Sequence, residues 1–294
     1  MVSTAATETA FLYRFGQRQY DLSARTHIMG VLNVTPDSFF DGGKYSTVGK
    51  AVGRALKMIA EGADFIDVGG ESTRPKSQAY GEGAEPLPME EELRRVTRVI
   101  ESLADRTDIP ISIDTYKAGV AREALESGAV IVNDISGFTF DPEMPSVVAE
   151  AGASAVLMHI KGTPKTMQVD PTYDDLLGEV SEFLQNGLAR GRQMGINQMM
   201  VDPGIGFGKR QEHNLRLIKG LSNFKSLGYP ILIGPSRKSF IGNILNLPVE
   251  ERIEGSIAAS VACILYGANI LRVHDVKEAK RAALVADAIK RAAA

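Results

Sequence analysis

Short apolar runs alternate with longer amphipathic stretches along most of the chain, and this alternation predicts strand followed by helix many times over. The apolar runs are typical of strands buried on both faces, and they cover 27–32, 64–68, 109–113, 130–133, 155–158, 199–201, 231–233 and 270–273. Helical periodicity fills the intervals over 47–61, 89–104, 117–127, 144–151, 174–194, 213–226, 236–266 (interrupted at Pro248) and 276–292.

Eight strand–helix units with short connections predict an α/β fold of the (β/α)₈ barrel type. Ahead of them, the runs 11–15 and 18–22 flank Gly16-Gln17 and predict a small β-hairpin. We therefore expect an N-terminal extension with a hairpin over residues 1–25 and a barrel over 26–294, in one domain overall.

The alternative fold is a doubly wound open sheet that binds a dinucleotide. The glycines of 204–208 do not have the spacing of that fingerprint. The same loop also fails as a P-loop, because Pro203 stands where the first Gly belongs and Arg210 follows Gly208-Lys209.

Composition narrows the class of protein. The chain has 294 residues, is 44% hydrophobic and carries a formal net charge of −3, which does not predict a nucleic-acid partner. Its one cysteine, Cys263, lies in an apolar run and predicts a buried thiol with no internal disulfide. No apolar stretch has the length of a membrane span, so we expect a soluble, cytoplasmic protein.

Polar residues follow nearly every predicted strand. One Asp at a strand end is usually a turn or cap residue. In a barrel, however, all these ends lie on one face, and burying so many polar groups there without a ligand would be unfavourable. We expect the functional site at this face, formed by residues that include Asn33, Asp67, Asp114, Asn133, His159, Asp202, Ser236 and His274.

The residue types indicate the chemistry. Asp114, Asn133 and Asp202 offer oxygen atoms without metal-binding His or Cys beside them, which argues against zinc and suits a flat heterocycle with N–H donors. Arg272 and His274 alternate along the last strand, so they share one side of it and, with Arg74, could bind a phosphate. Asn33 offers a neutral oxygen to Mg²⁺.

A second anion site is predicted at the stretch ILIGPSRKSFIG, residues 231–242. Ser236 is a good N-cap, and a helix beginning there beside Arg237 and Lys238 would attract an anion. The alternative is a capped surface helix whose two cations are only solvated.

Eight motifs in order, from about Thr26 to the C-terminus, resemble those of the dihydropteroate synthases: MGVLNVTPDSFFDGG, DFIDVGGESTRP, ISIDTYK, IVNDISG, VLMHIKGTPKTMQ, VDPGIGFGK, GPSRKSFIG and LRVHDVKEA. The resemblance implies condensation of 6-hydroxymethyl-7,8-dihydropterin pyrophosphate with p-aminobenzoate to give 7,8-dihydropteroate and pyrophosphate. It implies that pyrophosphate leaves first, that Mg²⁺ is the cofactor, that sulfonamides bind the family and that the protein is a homodimer. The apolar, small-residue helix 253–266 is compatible with a dimer.

The resemblance also implies roles for individual residues. The pterin would be bound by Asp114, Asn133, Met158, Asp202 and Lys238, and the pyrophosphate by Asn33, Arg74, Arg272 and His274, with Asn33 also a Mg²⁺ ligand. The p-aminobenzoate would be bound by Phe39, Thr73, Pro75, Phe207, Ser236 and Lys238. Catalysis would rest on Asp114, Lys238, Asp202, Arg272 and His274, with Asp67 in a secondary position near the diphosphate and metal.

Two other functions are compatible with parts of this pattern. A pterin-dependent methyltransferase barrel would use a similar Asp/Asn/Asp arrangement but has no need for SRKS and RVH. A non-catalytic pterin-binding homologue would be expected to lose loop residues such as Asn33, Asp37, Thr73 and Arg74, which are present here. One departure from the family is the segment KSQAYGEGAEPLPM, which is longer than usual after the second barrel strand and predicts a mobile lid.

Overall fold

The computed structural model describes residues 10–34, 47–72 and 86–292. Its strands are β1 (Leu12–Phe15), β2 (Arg18–Asp21), β3 (His27–Asn33), β4 (Phe65–Gly69), β5 (Ile111–Asp114), β6 (Ile131–Asp134), β7 (Ser154–Met158), β8 (Met199–Asp202), β9 (Leu232–Ile233) and β10 (Ile270–Val273). The α-helices are α1 (Thr47–Ala60), α2 (Met89–Ala104), α3 (Ala118–Glu126), α4 (Met144–Glu150), α5 (Leu176–Gln193), α6 (Gln211–Lys219), α7 (Ser239–Leu245), α8 (Ile253–Leu265) and α9 (Val276–Arg291).

The eight strands after the hairpin form one parallel sheet in the order β8-β7-β6-β5-β4-β3-β10-β9. The two outer strands meet through a parallel bridge between Val201 and Ile231, where the amide of Val201 donates to the carbonyl of Pro230 at 3.0 Å. This contact closes the sheet, and the predicted (β/α)₈ barrel is confirmed.

One predicted helix is divided in the structure, and a second is interrupted, as expected, near Pro248. The pattern over 213–226 becomes α6 and a 3₁₀ helix over Leu221–Leu227. The pattern over 236–266 becomes α7, a 3₁₀ turn and α8, because Asn246 adopts a left-handed conformation with φ of 56° and Pro248 cannot continue a helix.

Helix α2 illustrates how a helix packs one apolar face against the barrel strands, here β4 and β5. Val96, Val99, Ile100 and Leu103 recur at helical spacing and are all fully buried. Burial of such a side chain stabilises the fold by about 1.5–3 kcal/mol. Within the described ranges, no helix is both long and apolar enough to cross a membrane.

The interior of the barrel has a separate apolar layer near the N-terminal ends of its strands, and the hairpin β1–β2 covers it. Phe15 packs edge-on against Phe65 with ring centroids 5.2 Å apart, and the hydroxyl of Tyr13 donates to the carbonyl of Met199 at 2.6 Å. The hairpin therefore closes this end of the barrel. The layer consists of Met29, Phe65, Ile131, Val156, Met200, Leu232 and Ile270, with Tyr13, Phe15 and Leu22 from the hairpin segment.

Candidate active site

Strand alternation explains where the polar residues lie. Side chains at i and i+2 share one face of a strand, so residues two positions beyond the apolar layer also point into the barrel, closer to its C-terminal end. The apolar layer is thus followed by a polar one. The pairs are Phe65 and Asp67, Ile131 and Asn133, Val156 and Met158, Met200 and Asp202, and Ile270 and Arg272.

Arg272 joins the strands at the centre of this polar layer. Its Nε donates to Asp67 Oδ2 at 2.5 Å, and its Nη2 donates to Asp114 Oδ2 at 2.6 Å. Asn133 Nδ2 donates to the same oxygen of Asp67 at 3.0 Å. Asp67, expected in a secondary position, is fully buried and lies at the centre of the network.

Oxygen atoms remain available beside this network. Asp67 Oδ1 is buried and has no hydrogen-bond partner among the described residues. The space in front of Gly69 lies between Asn33 Oδ1 and the Asp114 oxygen that accepts from Arg272, since a Cβ built there would be 3.8 Å from Asn33 Oδ1 and 3.5 Å from Asp114 Oδ2. These atoms suit a hard cation or a hydrogen-bond donor.

Burial and crowding of charges shift the pKa values of the layer. Burial raises the pKa of Asp114 to about 7, opposed by Arg272 and reinforced by Asp67. Burial acts to lower the pKa of Arg272, but the carboxylates of Asp67 and Asp114 outweigh it and raise that pKa. Burial also raises the pKa of Asp202, with Lys238 opposing the shift.

The loop between β8 and α6 connects Asp202 to Lys238. Asp202 Oδ1 accepts from the amide of Gly204 at 2.7 Å. Lys238 Nζ donates to the carbonyl of Ile205 and lies 4.6 Å from the centroid of the Phe207 ring. Burial lowers the pKa of Lys238 to about 8, although Asp202 acts in the opposite direction.

The expected role of Ser236 as a helix cap is wrong. Helix α7 begins at Ser239 with Lys238 in the cap position, so Ser236 precedes it. The Ser236 hydroxyl lies 3.1 Å from His274 Nδ1 and accepts from the His274 amide at 3.3 Å. The pair of Ser236 and His274 is therefore a polar contact between the segments that follow β9 and β10, and Ser236 is not at a helix terminus.

Arg237 was expected to attract an anion or to be solvated, but the structure pairs it with a carboxylate of the protein. Its guanidinium donates to both carboxylate oxygens of Asp275 at 2.8 Å and to the carbonyl of Val249 at 2.8 Å. Arg237 has φ of 56°, a left-handed conformation that this bidentate pair helps to hold.

The remaining predicted residues are accounted for as follows. Met158 is buried beside Asp202 in the register of β7 and β8. His159, which could be mistaken for a general base, is buried and hydrogen-bonded to Lys209. Phe39, Thr73, Arg74, Pro75 and most of the long segment after β4 lie outside the described residues.

Comparison with known proteins identifies the family of this chain. The family model of pterin binding enzymes matches residues 29–274. A dihydropteroate synthase of Synechocystis sp. is 47% identical over 279 residues, which is 94% of this chain and 94% of that one.

Solved structures give the same result. The Yersinia pestis dihydropteroate synthase in a sulfonamide drug complex has a TM-score of 0.88 at 42% identity, and the match covers 96% of this chain and 100% of that one. The Xanthomonas albilineans dihydropteroate synthase with 4-aminobenzoic acid has a TM-score of 0.88 at 40% identity, and the match covers 97% of this chain and 100% of that one.

Dihydropteroate synthases condense 6-hydroxymethyl-7,8-dihydropterin pyrophosphate with p-aminobenzoate, giving 7,8-dihydropteroate and pyrophosphate in folate biosynthesis. Because the family model covers most of the chain and the relatives match it over nearly their whole length, the chain belongs to this family of transferases and catalyses its reaction.

Proposed function

We propose that the polar layer binds the pterin ring of 6-hydroxymethyl-7,8-dihydropterin pyrophosphate edge-on. Asp202 and Asp114 would accept hydrogen bonds from its N–H donors. The Asn133 amide would both donate to ring acceptors and accept from ring donors, and Met158 would pack against the ring face. The observation that carries the proposal is that Asn133, Met158 and Asp202 lie two positions beyond the apolar layer of the barrel, and Asp114 joins the same network through Arg272.

Arg272 and His274 would bind the diphosphate, together with Asn33 and Arg74. Arg272 is paired with the carboxyl groups of Asp67 and Asp114. A diphosphate would therefore have to compete with Asp67 or Asp114 for the guanidinium. This competition couples binding of the leaving group to the ionisation of Asp114.

The p-aminobenzoate would lie between Phe207, Lys238 and Ser236, with Phe39, Thr73 and Pro75 completing its pocket. The Phe207 ring and the Lys238 ammonium already contact each other, and an aromatic acid needs both an apolar face and a cation. Related dihydropteroate synthases have been solved in complex with 4-aminobenzoic acid and with a sulfonamide drug. These complexes support the proposal that sulfonamides bind this protein as well.

The oxygen donors present fit Mg²⁺. Among the described residues, no group of three or more His, Cys, Asp or Glu side chains is placed to hold a metal by itself. Mg²⁺ needs less than that, since it keeps several waters and takes ligands from a substrate diphosphate. Asn33 Oδ1 and the unpartnered Asp67 Oδ1 would hold it, and when bound it would neutralise the charge of the leaving group.

The protein groups would then stabilise the charge that develops on the pterin. Departure of pyrophosphate leaves a cationic methylene group, and the carboxylates of Asp114 and Asp202 lie in a buried layer where their electrostatic effect is strong. The arylamine of p-aminobenzoate attacks this carbon and loses a proton. No protein nucleophile is required, because the substrate carries its own leaving group.

The experiment is an assay of pyrophosphate release from the pterin substrate, with and without p-aminobenzoate. We expect pyrophosphate release to require p-aminobenzoate and Mg²⁺. In the Asp202→Asn variant, we expect the affinity for the pterin to fall about fivefold to 150-fold, equivalent to roughly 1–3 kcal/mol. Methyl transfer to a corrinoid in place of this reaction would favour the methyltransferase alternative. Pterin binding without turnover would favour a non-catalytic homologue.

The homodimer and the cytoplasmic location stay predictions, and the first has structural support. Helices α7, α8 and α9 pack in sequence and expose large apolar side chains, which a second copy would cover. A Val285→Glu/Ile289→Glu variant should sediment as a monomer, and an unchanged dimer would place the interface elsewhere. The exposed side chains are Ile244, Leu245, Leu265, Tyr266, Leu284, Val285 and Ile289.

A further inference from the structure

The loop over 203–209 is held by side chains from several elements. Gly206 donates its amide to Asn214 Oδ1 at 2.7 Å, and its carbonyl accepts from Gln168 Nε2 at 2.8 Å. The carbonyl of Gly208 accepts from the Tyr173 hydroxyl at 2.7 Å. These three contacts from separate elements hold the backbone of the loop at Gly206 and Gly208.

Lys209 supplies the contact nearest to the proposed p-aminobenzoate residue. Its side chain is only 2% exposed, and its Nζ donates to the carbonyl of Phe207 at 2.8 Å. The same Nζ lies 2.8 Å from His159 Nδ1 and 3.4 Å from the carbonyl of His159. One amino group thus links the loop to the end of β7.

The fit between these two segments leaves little freedom. Gly204 has φ of 72°, and a Cβ built there would lie 1.9 Å from the carbonyl of His159, so only glycine is accommodated. The His159 ring packs edge-on against Phe183 with centroids 4.8 Å apart. His159 therefore presents Nδ1 to Lys209 from a fixed ring.

Buried lysine is usually unfavourable, but this pair satisfies its polar atoms in either protonation state. An ammonium group can donate to Phe207, to the His159 carbonyl and to Nδ1. A neutral amine can instead accept a hydrogen bond from Nδ1–H and donate to the two carbonyls. Burial lowers the pKa of Lys209 well below its usual value, and burial lowers the pKa of His159 to about 2, so the pair carries at most one charge near neutral pH.

We propose that Lys209, held by His159, is a positioning residue that fixes Phe207 and, through the carbonyl of Ile205, the Lys238 ammonium for binding p-aminobenzoate. Lys209 acts from behind the loop, and Phe207 and Lys238 contact the substrate. The inference rests on the proposed roles of Phe207 and Lys238.

The test compares Lys209→Met, His159→Leu and His159→Asn. Lys209→Met removes the donors at similar length, and His159→Leu removes the acceptor. His159→Asn places an amide Oδ1 where Nδ1 stood. We expect the first two variants to raise the KM for p-aminobenzoate at least tenfold at saturating pterin pyrophosphate, and His159→Asn to stay within threefold of the wild type.

Val120→Ala, in the buried face of α3, is the matched control. It should lower the Tm without changing this KM, which separates positioning from general destabilisation. An unchanged KM in Lys209→Met, or equal damage from His159→Asn and His159→Leu, would overturn the inference. If Lys209→Met does not fold, the two His159 variants still decide. Loss of p-aminobenzoate-dependent pyrophosphate release in the wild type itself would instead refute the proposed function.

Discussion

Lys238 is the residue whose protonation should limit ligand binding at alkaline pH. Its ammonium lies against the Phe207 ring and the carbonyl of Ile205, and burial lowers its pKa to about 8. The charged form therefore predominates below pH 8 and is lost above it. Ligands that need the charge favour the protonated form, so their affinity must fall as the pH rises through 8.

We expect the affinity for p-aminobenzoate to fall roughly tenfold for each pH unit above about 8, as follows from the titration of one group. Calorimetry between pH 7 and pH 10, with pterin and pyrophosphate present, measures this decline. In Lys238→Arg the guanidinium stays charged over the whole range, so the decline should disappear even if the overall affinity is lower. An identical decline in Lys238→Arg would assign it to another group.

Residue types predicted much of the site but not its hydrogen bonds. Polar residues at strand ends identify Asp114, Asn133 and Asp202, because a parallel barrel brings those ends together. Sequence alone does not show that Arg237 pairs with Asp275, since the two are 38 positions apart and meet only through the fold. Nor does it show that Lys209 is buried, because most lysines are exposed.

At the scale of elements, Lys117 connects three segments around the exit of β4. Its Nζ donates to Glu71 Oε2 at 2.5 Å, to Glu92 Oε2 at 2.6 Å and to the carbonyl of Leu87 at 2.6 Å. Both carboxylates are buried, with side chains 7% and 1% exposed. One ammonium therefore compensates two buried charges.

Lys117→Met should lower the free energy of unfolding by about 3–5 kcal/mol, because it leaves buried carboxylates without a cation. Urea unfolding measures the loss. Addition of Glu92→Gln should recover part of it by removing one of those charges. Arg122→Met is the control, since its pair with Glu150 is exposed and should contribute about 0–1 kcal/mol. Equal losses in Lys117→Met and Arg122→Met would contradict this account.

The periodicity predicted most elements because each helix has one buried face and each barrel strand is apolar. The helix predicted over 213–226 and the region after β9 were exceptions. After β9 the pattern over 236–266 predicted an interruption at Pro248, but the left-handed Asn246 already ends α7 at Leu245, and α8 begins only at Ile253. Hydrophobic periodicity carries no information about a left-handed residue, so the start of α7 at Ser239 could not be predicted.

At the scale of the whole molecule, eight repeated units predict the barrel, whereas its closure depends on small details. Strand β9 has only two residues, and the bridge of Val201 with Ile231 completes the ring. The hairpin was predicted as an element, but its packing against the barrel interior was not. Such packing depends on which side of the strands is unoccupied, and local sequence does not specify that.

His27 lies where the hairpin meets the barrel, and it should make the whole fold sensitive to acid. Its ring is 3% exposed and packs near Tyr20 and Phe65, with centroids 5.9 Å and 6.1 Å away. Burial, reinforced by Arg25, lowers its pKa to about 4. The unfolded chain, with a pKa of about 6.5, then binds more protons than the folded protein between pH 6.5 and pH 4.

Stability from the neutral ring is complete above pH 6.5 and is lost as the pH falls toward 4. For one such group the loss between pH 7 and pH 5 is about 2 kcal/mol. His27→Phe preserves the aromatic packing and removes the titration, and His27 Nδ1 has no hydrogen-bond partner among the described residues to lose. Urea unfolding at pH 7 and at pH 5 gives the free energy of unfolding at each pH. We expect the drop between these two values to be about 2 kcal/mol smaller in His27→Phe than in the wild type. His159 titrates in the same direction, so some acid sensitivity should remain in the variant. If the drop in the free energy of unfolding between pH 7 and pH 5 were the same in His27→Phe as in the wild type, His27 would be protonated without loss of packing at the base of the barrel.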